Sequence, residues 1–122
     1  MLTLRKEQVA AFESVGKKAF EDRMLAHLHR VFPDQSKSLV EAKLRELIQY
    51  GTKRAATYGI ISERDVGRYI DLMILYSRDF DKDPALPWAQ SVLQNQAIRD
   101  PSSRIERLYK VAEQNERKGQ LR

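Results

Sequence analysis

At 122 residues the chain is one domain by length, long enough to bury a core without disulfides or metal. It has no cysteine, which excludes disulfides, thiolate catalysis and cysteine zinc sites and suits a cytoplasmic setting. The net charge of +5 is spread as +4 over residues 1–59, −2 over 60–100 and +3 over 101–122, so there is no basic stripe of the kind that grips nucleic acid.

The N-terminus becomes charged at once and shows no apolar signal region. The strongest apolar concentration, around 69–76, falls well short of the ~20 residues of a membrane span. The expectation is a soluble, all-α, single-domain bundle of four to five helices around a central apolar helix at about 63–80.

Residues 4–32 read as one long helix. Val9, Phe12, Gly16, Ala19/Phe20, Met24, Leu28 and Val31/Phe32 recur at three- and four-residue steps, with Thr3 as cap and Pro33 as stop. His27 and His29 point roughly 200° apart on such a helix and cannot share a metal. They are ordinary helix-end histidines.

Ser38-Leu39-Val40-Glu41 has capping-box spacing and starts a second helix that runs to Tyr58. Its apolar face holds Val40, Leu44, Leu47/Ile48, Gly51, Ala55 and Tyr58. Gly51 lies in the helix interior, where glycine costs about 1 kcal/mol against alanine, and marks either a close helix approach or a partner groove. Tyr58-Gly59 closes the helix, and Ser62-Glu63-Arg64-Asp65 caps the next.

Val66, Tyr69, Ile70, Leu72, Met73, Ile74, Leu75, Tyr76 and Phe80 make that third helix apolar on most sides, as a core helix is. Its polar stripe is Arg64, Arg68, Asp71 and Arg78, readable as surface ion pairing or as a partner contact.

Asp79, Asp81 and Asp83 alternate like the first half of a calcium loop. Pro84 and Gln90 stand where that loop needs glycine and glutamate, which argues against calcium. Pro87 opens a short helix to about Gln94, with Ala89, Val92 and Leu93 inward. Trp88, the single tryptophan, is either a plug at the bundle end or a binding anchor. Asp100-Pro101 starts the last helix, with Ile105, Leu108/Tyr109 and Ala112 inward and a tail at about 114–122 expected to fray.

No nucleophilic triad, phosphate loop, HExxH or paired carboxylates in an apolar setting can be found, so the chain reads as a non-enzyme with no cofactor and no metal site. Ala55, Gly59, Ile60 and Ser62 echo a helix-turn-helix, but the helix that follows is too apolar to present a face to DNA.

Several phrases taken together, in order over most of the chain, resemble a family of small helical accessory proteins associated with bacterial type VI secretion effector clusters. They are Phe32-Pro33, Tyr50-Gly51, Arg54-Ala55, Tyr58-Gly59-Ile60, Glu63-Arg64-Asp65-Val66, Tyr69-Ile70-Asp71-Leu72-Met73, Asp79-Phe80-Asp81, Pro87-Trp88 and Arg104-Ile105-Glu106-Arg107-Leu108-Tyr109. Ser77 departs from the small residue, such as glycine, expected there.

The resemblance implies a co-chaperone that helps an adaptor chaperone and a PAAR-type spike protein load an effector, by binding without catalysis. Arg64, Arg68, Arg78 and Trp88 are the candidate partner contacts. An immunity protein that binds a cognate toxin and a DNA-binding regulator are the alternatives. Partner identity and oligomeric state are not readable from the residues.

Overall fold

The computed structural model describes residues 6–120, with side chains described over 16–116. The described residues form six α-helices and one 3₁₀ turn, with no strand: α1 (Lys6–Val31), α2 (Pro33–Lys37), α3 (Glu41–Thr57), α4 (Glu63–Leu75), the turn Phe80–Lys82, α5 (Pro87–Leu93) and α6 (Pro101–Gln120). The fold is all-α, and none of the described helices is long and apolar enough to cross a membrane. The proposed cap Thr3 and the side chains of Val9 and Phe12 lie outside the described residues. The chain divides into two compact units, 1–49 and 50–122, with α3 running across the division.

In the first unit Pro33 ends α1, but it also opens α2, whose first turn tolerates a residue without an N–H. Ser38 does not cap α3. It is the C-cap of α2, its hydroxyl donating to the Gln35 carbonyl at 2.7 Å, and Val40 stands before the first turn of α3. The short helix consumes the serine that the capping-box spacing assigned elsewhere. Val40 is accordingly 68% exposed and Val31 46% exposed, so neither belongs to the apolar faces expected of them, whereas Met24, Leu25, Leu28, Leu44 and Ile48 are buried.

His29 Nδ1 lies 3.1 Å from the buried Ser36 hydroxyl, which ties α1 to α2. Arg45 on α3 meets Glu21 at 3.2 Å, Asp22 at 2.8 Å and Glu41 at 3.2 Å.

The second unit begins with a helix stop of the Schellman type. Gly59 has φ +78°, Gly59 N–H donates to Ala56 O, and Ile60 N–H donates to Ala55 O, both at 3.0 Å. Ile60 and Ala55, the two positions whose apolar character accompanies this motif, are both fully buried.

Ser62 then caps α4 in extended geometry and accepts the Asp65 N–H at 3.3 Å. Asp65, Val66, Tyr69, Ile70, Leu72 and Met73 of α4 are buried, and α4 packs on α6. Gly51 is where α3 and α4 close up: a Cβ there would stand 2.7 Å from Ile70 Cγ1 and 2.8 Å from Met73 Sδ.

The central helix is shorter than expected. It ends at Leu75, with Tyr76 as its C-cap, so Arg78 lies beyond it and does not extend the Arg64/Arg68 stripe. Phe80 reaches the core from the 3₁₀ turn. The short α5 packs on this turn and on α6. Asp100 caps α6, its carboxylate accepting from the Ser102 N–H and the Ser103 hydroxyl. α6 continues to Gln120, past Glu113, where its apolar face ends.

Candidate functional site

The densest polar constellation in the second unit comes from helical spacing. Tyr50, Arg54 and Tyr58 stand four residues apart and share one face of α3. The segment after α4 supplies matching groups in order. The Arg78 guanidinium sits over the Tyr50 ring at 3.9 Å, and the Tyr50 hydroxyl donates to Asp79. Arg54 donates to Asp81 Oδ2 through Nε at 3.0 Å and Nη2 at 2.7 Å, and Tyr58 donates to the same oxygen at 2.6 Å.

The result is a latch that fastens residues 78–81 to α3. Asp81 is fully buried, while the Arg54 side chain keeps 21% of its surface. Tyr69 packs beside it, its ring centroid 6.3 Å from Tyr58 and 5.1 Å from Phe80.

The electrostatics suit a structural latch better than an acid–base site. The hydrogen bonds to Asp81 hold the Arg54 guanidinium above its ordinary range. Burial, and then the bond to Asp81, pushes the Tyr58 phenol up to about 12. Burial drives Tyr69 higher still, and the bond to Asp79 raises Tyr50. Phenols held protonated in this way are poor bases and poor nucleophiles at neutral pH.

The aspartates that resemble half a calcium loop do not converge. Asp79 is bonded to Tyr50, Asp81 to Arg54 and Tyr58, and Asp83 Oδ1 accepts the Ala85 N–H at 2.9 Å. No group of three or more potential metal ligands exists among the described residues.

A second polar junction joins two helix starts. Asp65 is 4% exposed, and its Oδ2 accepts from the hydroxyls of Ser62, at 2.9 Å, and Ser102. Burial alone would raise this carboxyl. The bonds from Ser102 and Ser62 and the Arg68 charge outweigh burial and hold it below the ordinary carboxylate range.

A third junction is Arg104, which donates to the carbonyls of Ile98, Tyr58, Leu93 and Arg99 at 2.8–3.4 Å. Its charge thus sits at the C-terminal ends of α3 and α5, where helix dipoles favour a cation. It lines an open depression of about 610 Å³ with Thr57, Gly59, Gln94, Asn95 and Gln96.

The four candidate contacts fall into two groups. Arg64 is exposed on the first turn of α4, and Arg68 lies one turn on, 3.8 Å from Asp65 and with its guanidinium 5.8 Å from the Tyr109 ring centroid. Arg78 and Trp88 belong with the other end of α4, roughly 18 Å along the axis from Arg64 at 1.5 Å per residue. Trp88 is half-buried, its ring edge-on to Tyr76 at 5.3 Å between centroids and 69° between planes. Leu75, 52% exposed, is also at that end.

Sequence reasoning missed Arg54, Asp81 and Arg104 as organising residues. The four-residue spacing of Tyr50, Arg54 and Tyr58 was the available signal for the first of these, whereas nothing local marks Arg104. Comparison with family models, with curated proteins and with solved structures finds no match.

Proposed function

We propose that this chain works by binding another protein without catalysis, as an accessory factor of the co-chaperone kind. Its partners would be an adaptor chaperone and a PAAR-type spike protein, to which it helps deliver a type VI secretion effector. The observation that carries the binding role is the end of α4. There Leu75 is exposed on the last turn, the half-buried Trp88 lies edge-on to the C-cap Tyr76, and Arg78, stacked on Tyr50, begins the segment that a buried ion pair fastens. Tryptophan, tyrosine and arginine dominate interface energetics, and a pre-ordered segment loses less entropy on binding.

The assignment to secretion rests on the sequence resemblance alone. Arg78 and Trp88 form the primary contact in this reading, and Arg64 and Arg68 lie outside it. The experiment is affinity capture of the tagged chain from its native host at moderate salt, with the bound proteins identified. Recovery of an adaptor or spike-tip protein supports the reading. Recovery of a toxin alone replaces it with an immunity role, and salt-sensitive retention of nucleic acid alone sinks it.

A further inference from the structure

The latch leaves one donor and one acceptor over. Tyr69 Oη and Asp81 Oδ1 are both fully shielded from solvent, and neither has a hydrogen-bond partner among the described residues. Buried polar atoms are almost always paired, and an exception calls for a bound water or ion. The two groups are neighbours: Tyr69 packs on Phe80, next in the chain to Asp81, and on Tyr58, which bonds the other oxygen of the same carboxylate, and the Asp81 charge acts on the Tyr69 phenol.

Neither group bonds the other. Three donors pin Asp81 through Oδ2, and the Tyr69 ring is held by two aromatic neighbours. A ligand that serves both accepts from a phenol and donates to a carboxylate oxygen. Arg54 already balances the Asp81 charge at 2.7 Å, so the site as a whole is neutral and favours a neutral ligand over an ion.

We propose that Tyr69 Oη and Asp81 Oδ1 form the binding site of a single ordered internal water, which accepts from the tyrosine and donates to the aspartate. This water completes the latch. It gives both oxygens of Asp81 a partner and links α4 to the 78–81 segment through a hydrogen bond that neither side chain makes directly.

The test is a crystal structure of the full chain at a resolution that places waters, together with one of Tyr69→Phe, a variant that keeps the ring. The expected result is one full-occupancy water within about 2.6–3.2 Å of both atoms in the wild type. In Tyr69→Phe that water should be lost or displaced. A direct Tyr69–Asp81 bond, no density between the two atoms, an ion in their place, or a water equally occupied in the same position in both proteins would each overturn the proposal. Water-to-protein NOEs at the Tyr69 ring provide a solution check, and their absence in the wild type would count against it.

Discussion

Removing either partner of the Arg54–Asp81 pair should not cost the same. Asp81 is fully buried and Arg54 keeps 21% of its side-chain surface, so the two orphaned charges face different surroundings. In Arg54→Met a carboxylate is left in the interior with Tyr58 as its one remaining described donor. Breaking a buried pair in this way costs about 3–5 kcal/mol. In Asp81→Asn the arginine can turn its charge to water and the amide still accepts from Tyr58. The loss is then that of charge-assisted hydrogen bonds in a partly solvated setting, about 2 kcal/mol. The double variant Arg54→Met/Asp81→Leu removes both charges, and should cost less than the sum of Arg54→Met and Asp81→Leu by about 2 kcal/mol or more.

Urea unfolding followed by circular dichroism and by Trp88 fluorescence measures these differences. With a slope of about 1–3 kcal/mol per molar urea, Arg54→Met should lower the midpoint by roughly 1–5 M. If Asp81→Asn proves as costly as Arg54→Met, or the double variant is additive, the ion pair is not the buried latch described above.

Other substitutions test the remaining junctions. Gly51→Ala should destabilise by about 1 kcal/mol in urea unfolding, because a Cβ 2.7 Å from Ile70 and 2.8 Å from Met73 forces repacking that outweighs the helix-propensity gain. A more stable Gly51→Ala protein would mean that α3 and α4 do not approach as described. Arg104→Met should cost about 2 kcal/mol by freeing the carbonyls at the ends of α3 and α5, and Arg104→Lys should recover little, since an ammonium cannot reproduce the forked donors.

The folded Asp65 carboxyl lies below its ordinary range, so its contribution is fully present above the unfolded value of about 3.9 and fades as pH falls through the lower folded value. The wild type should therefore lose its stability advantage over Asp65→Asn as pH drops below about 4. An advantage that stays constant from pH 6 to pH 3, or grows on acidification, would refute the assignment.

What the sequence disclosed and what it hid divide by distance along the chain. Gly59, the Ser62 cap and the Asp100-Pro101 start act within a few residues, and each does what its local chemistry demands. Gly51 was legible because glycine on the apolar face of a helix interior has few uses besides close packing.

The latch joins residues 27 apart, and no local pattern ties Arg54 to Asp81. The same holds for Arg104, whose carbonyl partners include Tyr58, 46 residues away. The end of α4 was misplaced because no glycine or proline punctuates it and the apolar series continues to Phe80. The 3₁₀ turn carries that phenylalanine inward instead, leaving Arg78 off the helix. At Ser38 the spacing was right and the serine had another use.

The central claim is that the Trp88/Arg78 end of α4 carries partner binding. It is tested most directly by measuring complex formation with the captured adaptor or spike-tip protein for two paired variants, Trp88→Ala/Arg78→Glu and Arg64→Glu/Arg68→Glu, each first checked by circular dichroism for retained fold. The account predicts that the first pair loses the complex, by tenfold or more in affinity for an anchor worth about 1.4 kcal/mol or above, while the second binds nearly as the wild type does. Loss confined to the Arg64/Arg68 pair, or undiminished binding by the first pair, would contradict it.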